Sequence, residues 1–145
     1  MQHIDVQHIV VGVDGSSASR EAVRWAVELA RAATADIEVI HAWTPPDMGT
    51  QAIDAALAEP AELEQEARRE LQGTLADVDQ AGLVKPIDAR VLQAEAVAVL
   101  LEAGRTADLV VVGRRGLSGR ADEDPEEVCH RLVREADCPV VVVPA

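Results

Sequence analysis

The 145-residue chain contains no phenylalanine and no tyrosine, and its only tryptophans are Trp25 and Trp43. A core must therefore be built from Val, Leu, Ile and Ala. The shortage of aromatic platforms also argues against single-strand nucleic-acid binding by base stacking. Positive charge is scarce: 13 Lys and Arg face 26 Asp and Glu, for a net charge of −13, and Lys85 is the single lysine. So acidic a surface repels DNA, RNA and anionic lipid, so neither nucleic acid nor membrane is expected as a partner. No apolar run approaches the ~18 residues that span a bilayer. Met1-Gln2-His3-Ile4-Asp5 has neither a basic start nor a long apolar stretch, so no secretory leader is expected. Cysteine is limited to Cys129 and Cys138. Two free thiols in a reduced cytoplasm fit that usage, and neither has His or Cys neighbours at metal-ligand spacing.

What is present is aliphatic and periodic. Hydrophobic residues make up 48% of the chain, enough for the core of one domain over residues 1–145, with a loose tail over 1–6. Short apolar, β-branched runs at 8–13, 36–43, 85–93, 109–113 and 139–144 read as strands. Between them, residues 17–33, 59–80, 95–103 and 125–136 carry apolar residues at three- and four-residue spacing and read as helices. In the first helix Val23, Trp25, Ala26, Val27, Leu29 and Ala30 form the expected apolar face, and Glu21 supports the first turn. Gly82 is expected to stop the second helix and Gly104 the third. Residues 44–58, opened by Thr44-Pro45-Pro46, form a long connection of the kind that often serves as a lid. Strict alternation of strands and helices implies right-handed crossovers and an α/β fold, a parallel sheet with helices on both faces.

In such sheets ligands bind at the carboxyl ends of the strands. The ends of strands one and four carry Asp14-Gly15-Ser16 and Gly113-x-x-Gly116, so these are expected to share one pocket. A strand ending in a glycine-rich turn before a helix is a common phosphate-binding design. Here the design is opposed by charge, because residues 122–127 hold five carboxylates: Asp122, Glu123, Asp124, Glu126 and Glu127. Asp124-Pro125-Glu126-Glu127 also reads as a helix start, with Asp124 as N-cap and Glu127 completing a capping box. Several residues carry a plain structural reading beside the functional one. Asp14 either touches a nucleoside or braces the turn after strand one. Ser16 is a helix cap before it is a ligand, and His41 reads as a satisfied core histidine. The acidic run is a solvated helix start or, less often, a divalent-cation site.

Ile9-Val-Val-Gly-Val-Asp14-Gly-Ser16, His41-Ala42-Trp43, Ala107-Asp-Leu-Val-Val-Val-Gly-Arg-Arg-Gly116 and Cys138-Pro-Val-Val-Val-Val143 together resemble the universal stress protein family, over about residues 8–144. The resemblance implies a five-stranded Rossmann-like sheet of order 3-2-1-4-5 and a homodimer joined through the last strand, Val140–Val143. It also implies, in one branch, ATP at the strand ends. Carried over, Asp14 with Gly15 and Ser16, and Ala42 at the end of strand two, would hold the nucleoside. Val112, Gly113, Gly116 and Val128 would belong to the phosphate side. The ATP-binding branch follows Gly-x-x-Gly after nine residues with Gly and then Ser or Thr. Those two places are Glu126 and Glu127 here. Ala94 also departs from the family's usual glycine at the end of strand three.

A carboxylate about 4 Å from a phosphate costs about 4 kcal/mol at an effective dielectric of 20, and two such contacts remove most of a micromolar affinity of about 8 kcal/mol. Mg²⁺ bridging carboxylate and phosphate would offset this. Arg114, Arg115 and Arg120 are instead expected to pair with Asp122–Glu127 and close the loop on itself. The expected function is a non-enzymatic, cytoplasmic, dimeric stress or regulatory protein with weakened ATP binding, whose protein partner reads the surface of residues 113–127. The alternative is an ATP or AMP sensor of the same family with slow ATP hydrolysis. Other enzymes on this architecture are excluded by residues. The chain has no Gly-Lys-Ser/Thr for a Walker-type NTPase and no G-x-G-x-x-G after strand one for a dehydrogenase. No lysine ends strand five, as a phosphoacceptor receiver would require.

Overall fold

A computed structural model describes residues 5–44, 60–114 and 125–144. The elements run β1 (His8–Val13), α1 (Ser17–Ala33), β2 (Asp36–Trp43), α2 (Pro60–Ala76), β3 (Asp88–Gln93), α3 (Ala96–Ala103), β4 (Leu109–Gly113), α4 (Pro125–Glu135) and β5 (Val140–Val143). The five strands form one parallel sheet of order β3-β2-β1-β4-β5, as the resemblance implied.

The side-chain period of two explains why this sheet is covered on both faces. Ile9, Val11 and Val13 of β1 pack with Val39, Val111 and Leu71, on the side of α1 and α2. Val10 points the other way, with Ile40, Val110, Val112, Leu100 and Leu132, on the side of α3 and α4. Central strands with no polar face can settle only between two helical layers. Asp108 joins β1 to β4 from below, its Oδ2 accepting the amides of Gln7 and His8 at 2.9 Å each. Of the tail expected over residues 1–6, Val6 packs against the first core cluster, and residues 1–4 lie outside the described residues.

Four expectations change. Trp25 is 39% exposed. At about 100° per residue it falls off the buried stripe of Ala22, Val23, Ala26, Val27 and Ala30. Glu21 is not in the first turn of α1; it pairs with Arg24 instead. Helix α2 ends at Ala76 rather than near Gln80, so Gly82 is not its stop. The released chain is held by Arg31, which donates to the carbonyls of Asp79 and Ala81 at 2.6 Å each. β3 begins at Asp88 rather than at Lys85, because Pro86 has no N–H for the ladder and Lys85 turns to Asp36, Nζ to Oδ2 3.2 Å. Cys129 and Cys138 are not joined by a disulfide. Burial pushes the Cys138 thiol up. The connection over 45–58, Gly116, the arginine pairing with Asp122–Glu127 and the Asp124 cap lie outside the described residues.

Candidate functional site

The turn after β1 is built by its own side chains. Asp14 Oδ1 accepts from the Ser16 amide at 2.9 Å and from Ser19 Oγ at 2.7 Å, and the Asp14 amide donates to Ser19 Oγ at 2.9 Å. Ser16 is the N-cap of α1, its Oγ accepting from the Ser19 amide at 3.2 Å. Gly15 between them has φ +88°, a region that side chains rarely adopt. Both plain readings are thus realised: Asp14 braces the turn and Ser16 caps the helix.

A cavity of about 400 Å³ opens beside this turn, at the carboxyl ends of β1, β2 and β3. Its floor is Val13, Asp14 and the 41–44 stretch; Leu63, Glu66, Ala67 and Glu70 of α2 form one wall, and Ala94–Val97 with Val128 and Arg131 form the other. Of the residues singled out in the sequence, Asp14, Ala42 and Val128 line it. Gly15, Ser16, Val112 and Gly113 do not, and Gly116 lies outside the described residues. Val112 is wholly buried in the core.

Gly113 has a packing reason. A Cβ there would lie 2.6 Å from the carbonyl oxygen of Ala18 and 2.8 Å from its carbon. The end of β4 and the start of α1 approach so closely that only glycine fits. Cys129 adds to this junction from α4, its thiol facing the carbonyls of Arg114 at 3.2 Å and Gly113 at 3.6 Å.

His41 is 4% exposed and engaged at both nitrogens: Nδ1 lies 3.1 Å from the carbonyl of Val13, and Nε2 lies 2.9 Å from Glu70 Oε2. The histidine read as a satisfied core residue is satisfied, and it also lines the cavity. Glu70 in turn lies over Gly15, whose absent Cβ would sit 3.3 Å from both Cβ and Oε2 of Glu70. Across the cavity Arg131 bridges α4 to the start of α3, Nη1 to Glu95 Oε1 2.7 Å, while its Nε meets Glu135 Oε2 at 3.1 Å. Glu95 first and Glu135 second hold its guanidinium above the ordinary arginine range. Trp43 Nε1 is buried and has no hydrogen-bond partner among the described residues.

Glu66, Glu70, Glu95 and Arg131 were not singled out in the sequence as site residues. The first two sit on a helix rich in acids, Glu95 precedes α3 and Arg131 lies on α4, neither within a motif. Only the register of α2 over β2 reveals the first two, and only the packing of α4 against the start of α3 the others. Among the described residues no helix is long and apolar enough to cross a membrane, and no three His, Cys, Asp or Glu cluster as a metal site.

Comparison with known proteins agrees with this architecture. Residues 5–144 match the model of the universal stress protein family. A universal stress protein of Thermus aquaticus is 32% identical over 139 residues, covering 93% of this chain and 96% of the relative. One from Mycobacterium tuberculosis is 29% identical over 135 residues, covering 93% of this chain and 47% of the relative. The chain thus spans about half the length of the mycobacterial relatives it matches. Among solved structures, a universal stress family protein from Burkholderia pseudomallei superposes with a TM-score of 0.69 at 26% identity, covering all of both chains. A universal stress protein in complex with cAMP gives 0.59 at 28% identity, covering 96% of this chain and 97% of that one. On fold, strand order and family match alike, the chain belongs to the universal stress protein family.

Proposed function

We propose that this protein is a non-enzymatic stress-response regulator, acting as a cytoplasmic homodimer, whose cleft holds an adenine nucleotide but holds ATP weakly. The observation that carries the reading is the cleft at the ends of β1 and β2, lined by Asp14 and Ala42. The 28%-identical relative in complex with cAMP supports a cyclic nucleotide or its kin as the ligand class. The engagement of His41 at both nitrogens supports a structural role over that of a general base. Glu126 and Glu127, in the first turn of α4, stand at the family's phosphate-binding Gly-Ser/Thr places and oppose a triphosphate by like charge. Homodimerisation is supported by β5, which among the described residues pairs only with β4 and leaves its other edge to a second copy. A protein partner would then read the surface of residues 113–127.

Calorimetric titration with ATP and Mg²⁺ tests the reading. Weak or absent heat is expected, and a dissociation constant of a few micromolar or tighter refutes weakened ATP binding. The cAMP-bound relative also favours a second reading, a nucleotide sensor that retains ATP or AMP and hydrolyses ATP slowly. Native mass spectrometry of freshly purified protein separates the two, since co-purifying ATP, which the first reading does not expect, adds its mass directly.

A further inference from the structure

We propose that the cleft selects an uncharged nucleoside over its phosphate esters, by a wall of fixed carboxylates that accept ribose hydroxyls and repel phosphate. The inference rests on the cleft being the nucleotide site, and it specifies which form of the ligand that site prefers.

Among the described residues four carboxylates line the cleft, from Asp14, Glu66, Glu70 and Glu95, against one guanidinium, that of Arg131. That cation is already matched by Glu95 at 2.7 Å and Glu135 at 3.1 Å, so it offers a phosphate little net attraction. Two of the acids are tied in place. Asp14 Oδ1 is bound to Ser16 and Ser19. Glu70 is held by His41 and rests over Gly15, so an entering anion cannot displace it without breaking that contact.

An ionised carboxylate only accepts hydrogen bonds, and so does a phosphate oxygen without a proton. A ribose hydroxyl donates. A nucleoside therefore satisfies these walls, whereas its phosphate ester adds charge of their own sign. Among the described residues the cleft also offers neutral donors: the Thr44 hydroxyl, and the buried indole N–H of Trp43, which has no partner there. Neutral donors suit the ring nitrogens and hydroxyls of a nucleoside better than a dianion, which takes charged donors most strongly.

Calorimetry on the full chain with adenosine, AMP and ATP, each at about 50 and about 300 mM salt, tests this. Adenosine is expected to bind at least about tenfold more tightly than AMP, because fixed carboxylates lie within a Debye length of any phosphate in so small a cavity. Raising the salt is expected to tighten AMP binding several-fold and to leave adenosine unchanged, since screening weakens a repulsion. Glu66→Gln, at an exposed position of α2, is expected to narrow the gap between the two ligands. AMP binding as tightly as adenosine, or weakening as salt rises, overturns the preference while leaving the cleft a nucleotide site. No binding by any of the three at millimolar concentration overturns the underlying reading, and the preference with it.

Discussion

Gly113→Ala separates two explanations of the glycine that ends β4. If the residue is there to let backbone approach a phosphate, alanine should spare stability and harm ligand binding. If it is there because α1 presses on the strand, alanine should harm the fold. The added Cβ would meet Ala18 at 2.6 Å (O), 2.8 Å (C) and 3.0 Å (Cβ). Two of those atoms are backbone, so no rotamer change relieves the contact, and α1 must shift by several tenths of an ångström. Overpacking of this kind costs about 1–3 kcal/mol. Movement of α1 also loosens the Ser16 cap, worth about 1 kcal/mol. A total of about 2–4 kcal/mol is expected, a substantial share of the stability of a typical domain. Urea unfolding followed by circular dichroism measures it as a lower midpoint with an unchanged slope. Ala18→Gly is not expected to rescue the variant, because it leaves the offending carbonyl in place. A loss below about 0.5 kcal/mol refutes the packing account, and full rescue by Ala18→Gly would place the clash at the Ala18 side chain rather than at its backbone.

Ser19→Ala removes both the donor to Asp14 Oδ1 and the acceptor of the Asp14 amide. Since Ser19 is fully buried, thermal unfolding should show a loss of about 1–3 kcal/mol, and an unchanged midpoint would contradict the bracing role. Hydrogen bonding from His8, with help from Lys85, lowers the Asp36 carboxyl below its ordinary 3.8. Its stabilisation is therefore complete above the unfolded carboxylate range and is lost as pH falls through the lower folded value. Asp36→Asn should flatten the acid limb of a stability profile below about pH 5, and an unaltered limb would show the shift to be inconsequential. At β5 the carbonyls of Pro139 and Val143 are taken by the amides of Val110 and Arg114 of the β4 side, so alternation turns the backbone of Val142 to the outer edge. Val142→Pro removes that outward N–H and should yield a monomer in light scattering; a persistent dimer would place the interface elsewhere. Leu132→Ala, at a side chain with no exposure, should cost about 2–5 kcal/mol in urea unfolding.

Element order and layering were legible in the sequence because they follow from local period. Runs such as Val110-Val111-Val112 and Val140–Val143 have no polar face, so they demand cover on both sides. Stripes such as Ala22-Val23-Ala26-Val27 supply that cover. The cap at Ser16 and the brace at Asp14 were legible for the same reason, since their partners lie within five residues. Strand order came from family resemblance, because neither period nor composition says which strand lies beside which. Tertiary structure alone decided what depends on residues distant in sequence. It set Glu70 of α2 on His41 of β2 and over Gly15, joined Arg131 to Glu95, and pressed Ala18 against Gly113. A chain's local pattern specifies which face of an element is buried, but the register of one element over another specifies which polar side chains meet. The charge of this cleft is a product of that register.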